Sequence, residues 1–560
     1  MFPSQVVFDL KQFQSDVVQA LEMPSEMREQ SILKRAGLRL VIQLKRTDDR
    51  DRLSATVRDL FPQFQVSRLF EPAENDRLET QDDGVMRNFF LATLQGVSFR
   101  DIRQSPFDLA YHLASQIDAV SVEPSLPYIR LWDQLEEKQP NVDLTTNDKA
   151  WALRQIRAPG AWAKMASSGD AASIGHLDTG WSDHIDLDRA ALDFQRAVDL
   201  VDLGGNAKDP LIHKALRNPG HGTKTGSVIV SRGDVTDGGE GTSGPGKITG
   251  VARKATLVPV RCIESVVVLF SDQVATGIYK ATKLGCEVLS MSLGGRPMSC
   301  LREAMLFAGS RNVIPVCAAG NVFPWVVWPA TYPQAIAVAA TNCFEEPWPS
   351  TASGSRVDIS APGENVWVAK PSNFDMYEIE QGSGTSYSTA YVAGVAALWL
   401  QHFGRDFLLN LAKENGLSLV DLFRAEMKGT CIKKPWSDTN YGAGIINAEA
   451  LISSNHQAAK DAKSQARYDS KAILKSHLSS GWRWGHAHSA RIARVMGDQA
   501  HRFAFENEIL NGLVDRWGFF GADQTQAAIP VTETEDLMSE LQPHQVRFSQ
   551  TLRQTALWNS

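Results

Sequence analysis

The chain is poor in several features that would narrow its class at once. Its 560 residues hold six cysteines, and no two stand as Cys-x-x-Cys. That argues against a disulfide-framed scaffold and against the usual spacing of a structural zinc site. Cys262, Cys286, Cys300, Cys317, Cys343 and Cys431 lie mostly in or beside apolar segments, so buried, reduced thiols are expected. No apolar run approaches the ~18–20 residues that cross a bilayer. Met1 to Leu10 have neither a basic start nor a long apolar core, so the reading takes a cytoplasmic protein as its expectation. Neither sign of charge dominates: 57 basic against 64 acidic side chains leave −7. This balance argues against a general nucleic-acid binder. Charged residues at 22% and hydrophobic ones at 43% suit a globular protein, and the length calls for more than one core.

What is present is a regular alternation over about 150–455. Ala171–Leu177 reads as a buried strand ending at Asp178, and a helix is expected from Gly222 to Val230 after His221. Ala255–Cys262 is a strand, Ser271–Leu284 a helix, and Glu287–Leu293 a strand running into Gly294-Gly295. Leu301–Ser310 is helical, and Asn312–Ala319 is a strand ending at Gly320-Asn321. Strand–helix–strand at this spacing implies an α/β fold, a parallel sheet with helices on both faces. Such sheets place their sites outside the carboxyl ends of the strands, where Asp178, Ser292 and Asn321 all fall.

Three short segments carry the candidate chemistry: Leu177-Asp178-Thr179-Gly180, Gly220-His221-Gly222-Thr223 and Gly384-Thr385-Ser386. Each alone reads as well as a turn, a loop or a helix cap. Together, in the order Asp, His, Ser, they match one of the chain orders known for a Ser-His-Asp triad. The Ser386 hydroxyl is a poor nucleophile until a base takes its proton, and a neutral His221 suits that task near pH 7. Asp178 would fix the imidazole tautomer and stabilise the imidazolium. Asn321 is the candidate donor to a developing oxyanion, with the Ser386 backbone N–H beside it.

These segments resemble the subtilisin-like serine proteases, the subtilase family, and the likeness extends beyond the triad. Pro159-Gly-Ala-Trp162 resembles the family's lead-in helix, and Met291–Gly295 the strand that pairs with substrate backbone. Ala318–Asn321 resembles the oxyanion segment, Trp328-Pro329-Ala330 the Tyr-Pro-Ala turn, Ser360–Gly363 the Ala-Pro-Gly loop and Gly442–Asn447 the closing segment. The resemblance implies a serine endopeptidase acting on a peptide or protein substrate, with catalytic Asp178, His221 and Ser386, oxyanion donor Asn321 and substrate-binding Ser292, Leu293 and Gly294. It implies no cofactor for the chemistry and no nucleic-acid or membrane partner. Calcium in this family is held by scattered loop oxygens, and no metal ligand is assigned.

Departures mark a divergent branch. Lys224 stands where the family usually has a second histidine, and Tyr387-Ser388-Thr389-Ala390-Tyr391 replaces its usual Met-Ala-Ser/Thr-Pro-His. The apolar stretch Val322–Trp328 would wall the pocket for the residue before the cut bond, or simply pack. Two other motifs fail. Gly241–Lys247 resembles a phosphate loop, but Ile248 replaces the Ser/Thr that would meet Mg²⁺. Asp178-Thr179-Gly180 is also the aspartic-protease signature, but no second copy exists to share a proton.

The flanks set the domain reading: 1–145 with its linker, 146–455 catalytic, and 456–560 an extension without an assigned role. Residues 37–126 suggest a β-α-β-β-α-β, ferredoxin-like α+β unit: strands at Leu38–Leu44, Val66–Phe70, Phe89–Leu94 and Ala119–Pro124, helices at Asp48–Phe61 and Pro106–Ile117. This resembles the family's inhibitory propeptide, a fixed domain that braces the protease being the other reading, and the polar run Leu135–Asp143 is the expected linker. Ala458–Lys475 reads as a solvated helix. His486 and His488 lack the further acidic or Cys partners that a metal site needs. The competing functions are a pseudoprotease that binds peptide along Ser292-Leu293-Gly294 by strand addition and an acyl hydrolase acting on esters.

Overall fold

Ser173–Asp178 and Val288–Met291 are buried at every position, with no alternation between a covered and an exposed face, the condition of strands in a central parallel sheet. The computed structural model of the protein describes residues 6–23, 36–71, 80–127, 147–165, 171–187, 189–202, 205–212, 218–233, 248–264, 266, 270–321, 325–438, 440–462, 486–520 and 548–559. The expected linker at 135–143, the loop at 241–247, Val322–Pro324 and most of the helix expected over 458–475 lie outside them.

The N-terminal region forms a four-stranded antiparallel sheet of β1 (Leu38–Leu44), β2 (Gln65–Arg68), β3 (Phe89–Leu94) and β4 (Ala119–Pro124), in the order β2-β3-β1-β4. Helix α1 (Leu10–Leu21) precedes it, α2 (Arg50–Leu60) follows β1 and α3 (Pro106–Gln116) follows β3. Period-2 alternation sends Leu38, Leu40 and Ile42 to a core shared with Leu53, Val57, Leu109 and Leu113. Val41 and Phe89 join the core of the neighbouring α/β body. The expected ferredoxin-like unit is therefore present, consistent with a propeptide-like region. The helix α1 was not anticipated from sequence, although Phe13, Val17 and Ala20 give it a buried stripe and Asp9 caps it through Gln12 N–H at 3.1 Å.

The α/β body holds seven described strands. They are β5 (Ser173–Asp178), β6 (Val198–Asp199), β7 (Thr256–Arg261), β8 (Val288–Met291), β9 (Ile314–Ala318), β10 (Ile336–Thr341) and β11 (Ile359–Pro362), in the order β11-β10-β9-β8-β5-β7-β6. Every pairing between them is parallel. The order steps outward in opposite directions from β5, through β7 on one side and β8 on the other, which makes the carboxyl end of β5 a switch point and a natural crevice. A separate antiparallel pair joins β12 (Val366–Ala369) to β13 (Ile379–Gly382).

Helices α4 (His221–Val230) and α7 (Thr385–Phe403) cover one face, α5 (Ser271–Lys283) and α6 (Ser299–Ser310) the other. Ile174, Val288 and Val338 enter the first layer; Leu177, Leu289 and Ala339 enter the second. Helix α7 comes close to its neighbours because Gly394 carries no side chain: a Cβ there would stand 1.8 Å from Val251 Cγ1. Past the α/β body, α8 (His486–Gly497) and α9 (Gln499–Phe520) turn back onto the N-terminal region. Their Ile492, Met496, Phe505 and Ile509 share one apolar cluster with Phe107 and Tyr111. Among the described residues no helix is long and apolar enough to cross a membrane.

Candidate active site

Asp178 closes β5 at the switch point, and His221 opens α4 beside it. The two elements meet through glycines. Gly180 has φ 105° and a Cβ there would lie 2.3 Å from Ala207 O, while a Cβ on Gly222 would lie 2.0 Å from Gly180 O. A side chain at Gly222 would drive the strand end and the helix start apart, and one at Gly180 would strike the Ala207 carbonyl of the neighbouring loop. With both absent, His221 Nδ1 reaches Asp178 Oδ1 at 2.8 Å.

Asp178 is fully buried. Its Oδ1 also accepts the Thr179 N–H at 2.7 Å, and its Oδ2 accepts the Thr225 hydroxyl at 3.1 Å. Burial pushes its pKa upward, but the charge and hydrogen bond of His221, the neighbouring His176 and the Thr179 N–H outweigh that and hold the carboxyl below its usual range. The Cys262 N–H donates to the Asp178 carbonyl at 3.2 Å, and burial pushes the Cys262 thiol up, away from ionisation.

Ser386 lies in the first turn of α7, just after Gly384. The Ser292 hydroxyl donates to the Ser386 carbonyl at 2.9 Å, fixing that turn to the end of β8. Asn321 follows β9, and its Oδ1 accepts both the N–H and the hydroxyl of Thr385, at 2.8 and 2.7 Å. The acceptor end of the amide is thus held by the turn that opens α7. A Cβ on Gly384 would stand 3.4 Å from Asn321 Nδ2 and 3.8 Å from Ser386 Oγ, so the two groups flank one spot that glycine keeps open.

Leu293 is buried, and the Gly294 N–H donates to Val266 O at 3.1 Å. Part of the edge that sequence assigns to substrate backbone is therefore engaged by the chain itself. Trp325 to Trp328 are buried, and Val327 packs beneath Gly294 and Gly320. Packing accounts for their apolar character. Lys224, in place of the family histidine, pairs with Glu380 of β13 at 2.6 Å, and Tyr391 is buried in the body's core. Sequence reasoning missed Thr385 as the residue that orients Asn321, and missed His176 and Thr225 behind Asp178. Their signal was spacing: His176 shares a strand face with Asp178, and Thr225 a helix face with His221. Among the described residues no group of three or more His, Cys, Asp or Glu is placed to hold a metal ion.

A parallel sheet with an Asp–His pair at a central strand end and a serine opening a buried helix defines a class of hydrolase, the subtilisin-like proteases. The model of the subtilase family matches residues 169–444. Thermitase of Thermoactinomyces vulgaris is 32% identical over 316 residues, which cover 55% of this chain and 99% of thermitase. M-protease of Shouchella clausii (strain KSM-K16) is 29% identical over 337 residues, 60% of this chain and 76% of that protein. The intracellular serine protease of Paenibacillus polymyxa is 28% identical over 292 residues, 51% of this chain and 81% of that protein. The chain belongs to the subtilase family and is a subtilisin-like serine endopeptidase. Subtilases need no cofactor for catalysis.

Proposed function

We propose that the chain hydrolyses peptide bonds with Ser386 as nucleophile, His221 as general base and Asp178 as the group that orients and stabilises it. The observation that carries this reading is the buried Asp178–His221 pair, 2.8 Å apart, in a chain whose third catalytic element opens α7 beside Asn321. His221 takes the Ser386 proton as the hydroxyl attacks the substrate carbonyl, then gives it to the leaving amine. The Nδ1–H of His221 stays on Asp178, whose charge offsets the imidazolium. Asn321 and the Ser386 N–H donate to the oxyanion, and Ser292-Leu293-Gly294 flank the substrate backbone.

The domain reading of 1–145, 146–455 and 456–560 belongs to the same proposal, with the N-terminal region as regulator. Its support is the contact it makes with the body. Arg39 and Ser125 both bond Asp272 of α5, the latter at 2.5 Å. Asp83 receives the Tyr279 hydroxyl and the buried Lys283 ammonium, each at 2.9 Å. An intracellular location is supported by the likeness to the Paenibacillus polymyxa enzyme and by six free cysteines, four of them buried.

The test is intact mass over time for the wild type and Ser386→Ala. Self-cleavage near 130–150 in the wild type alone is expected. Cleavage in both proteins would remove Ser386 from its role, and broad casein digestion by the uncut chain would remove the N-terminal region from its own.

A further inference from the structure

A second histidine stands behind the proposed triad. His176 precedes Asp178 by two residues on β5, so both side chains leave the same face of the strand. Thr225 lies one helical turn beyond His221 on α4. All three of His176, Asp178 and Thr225 are buried. The Thr225 hydroxyl lies 2.9 Å from His176 Nε2 and 3.1 Å from Asp178 Oδ2. His176 Nε2 and Asp178 Oδ2 are 3.7 Å apart, too far for a direct hydrogen bond, so the hydroxyl is the bridge.

Proton counting fixes the direction of the bridge. A hydroxyl has one hydrogen, and Thr225 Oγ1 also lies 3.1 Å from the His221 carbonyl and 3.4 Å from that of Gly222. The ionised carboxylate is the strongest of these acceptors and takes the hydrogen. His176 must then be the Nε2–H tautomer, donating to Thr225. Burial also disfavours a proton on its second nitrogen more than Asp178 favours one, so the ring stays neutral. The other groups around Asp178 add no competing cation. His221 is its partner, Arg261 at the end of β7 is committed to Asp199 and Asp202, and the Cys262 thiol is kept protonated by burial.

We propose that His176 and Thr225 are positioning residues, a neutral His–Thr relay that holds Oδ2 of Asp178 so that Oδ1 stays aimed at His221 Nδ1. The proposal rests on Asp178 serving His221 in catalysis. Removing the hydroxyl leaves Oδ2 without its donor, which makes the carboxylate a stronger base and loosens its orientation.

Two measurements test it. Nitrogen NMR of histidine-labelled Ser386→Ala protein should show His176 as the neutral Nε2–H tautomer at about pH 7 to 8; an Nδ1–H tautomer or a charged ring there would overturn the relay. For turnover of a chromogenic peptide by the self-processed full chain, Thr225→Val should move the acid limb of the pH profile up by roughly one unit. Its kcat should fall about tenfold at unchanged KM. Thr225→Ser should restore both, and His176→Leu should shift the limb in the same direction by less. A folded Thr225→Val protein with the wild-type profile would overturn the proposal. Asp178→Asn separates the two readings: if it keeps wild-type turnover the triad itself falls, whereas its loss beside a silent Thr225→Val removes only the relay.

Discussion

Two carboxylates, Asp178 in the proposed active site and Glu508 in the C-terminal extension, are both fully buried, yet their chemistry diverges. Asp178 meets an imidazole and is held below its usual pKa once burial is outweighed. Glu508 meets the Tyr111 hydroxyl at 2.7 Å, the Ser549 N–H at 2.6 Å and the Ser549 hydroxyl at 3.0 Å. Burial lifts it to about 7, and nearby Asp108 adds to the rise. Equal burial therefore decides nothing by itself; the sign follows from whether a cationic partner faces the carboxylate. One region is built to keep a charge, the other to hold a proton.

The comparison is sharpest where its charge is removed. Asp178→Asn should cost about 10⁴ in kcat, the scale seen when a triad carboxylate is neutralised, read as kcat/KM on a peptide substrate. A loss of less than tenfold would mean that this buried charge does no catalytic task. Asn321→Ala comes next, with about 10²–10³ lost in turnover and little change in KM. Retained turnover would place the oxyanion elsewhere.

The clasp that Glu508 forms with Tyr111 and Ser549 should respond to pH in the opposite sense to Asp178. Because the folded pKa of Glu508 lies above its unfolded value near 4.5, its contribution is complete in acid and is lost as pH rises toward 7. The change is on the order of 3 kcal/mol, measurable as thermal stability of Ser386→Ala protein across that range, and Glu508→Gln should flatten it. Asp178 works the other way: its contribution is present above about pH 4 and lost as pH falls below that. The smallest effect expected is from Tyr111→Phe, which removes one hydrogen bond of the clasp and should cost about 1–2 kcal/mol in denaturant melts. An unchanged midpoint would show that the apolar cluster alone holds the two segments together.

Most of the central sheet was legible because its signals are local. The strand expected over Ala255–Cys262 is Thr256–Arg261, and the helix expected from Gly222 begins at His221. Asp178, His221, Ser386 and Asn321 were marked by short glycine-bounded segments at strand or helix ends. Helix α1 escaped although its spacing was readable. The packing of the extension escaped for a different reason: Ile492, Val495 and Met496 sit among arginines and histidines, which mask their apolar stripe. Its partners lie far away in the chain. Asp108 accepts the Gln550 and Thr551 N–H groups at 3.0 Å each, across more than 440 residues, and no local pattern announces such a pairing. The relay behind Asp178 was hidden likewise, because His176 and Thr225 become neighbours only once β5 and α4 pack.

The extension's return onto the N-terminal region has a kinetic consequence. Ile492, Met496, Phe505, Ile509, Phe548 and Leu552 pack on the same N-terminal region that meets α5 and α6, so severing the chain near 130–150, as proposed, would leave a two-chain particle and not a free protease. Retention would then depend on dilution and on a dissociation rate, since a tethered contact becomes a bimolecular one when its tether is cut. If the N-terminal region inhibits as proposed, that contact would set the interval between the first cut and full activity, and the interval would vary with concentration and pH.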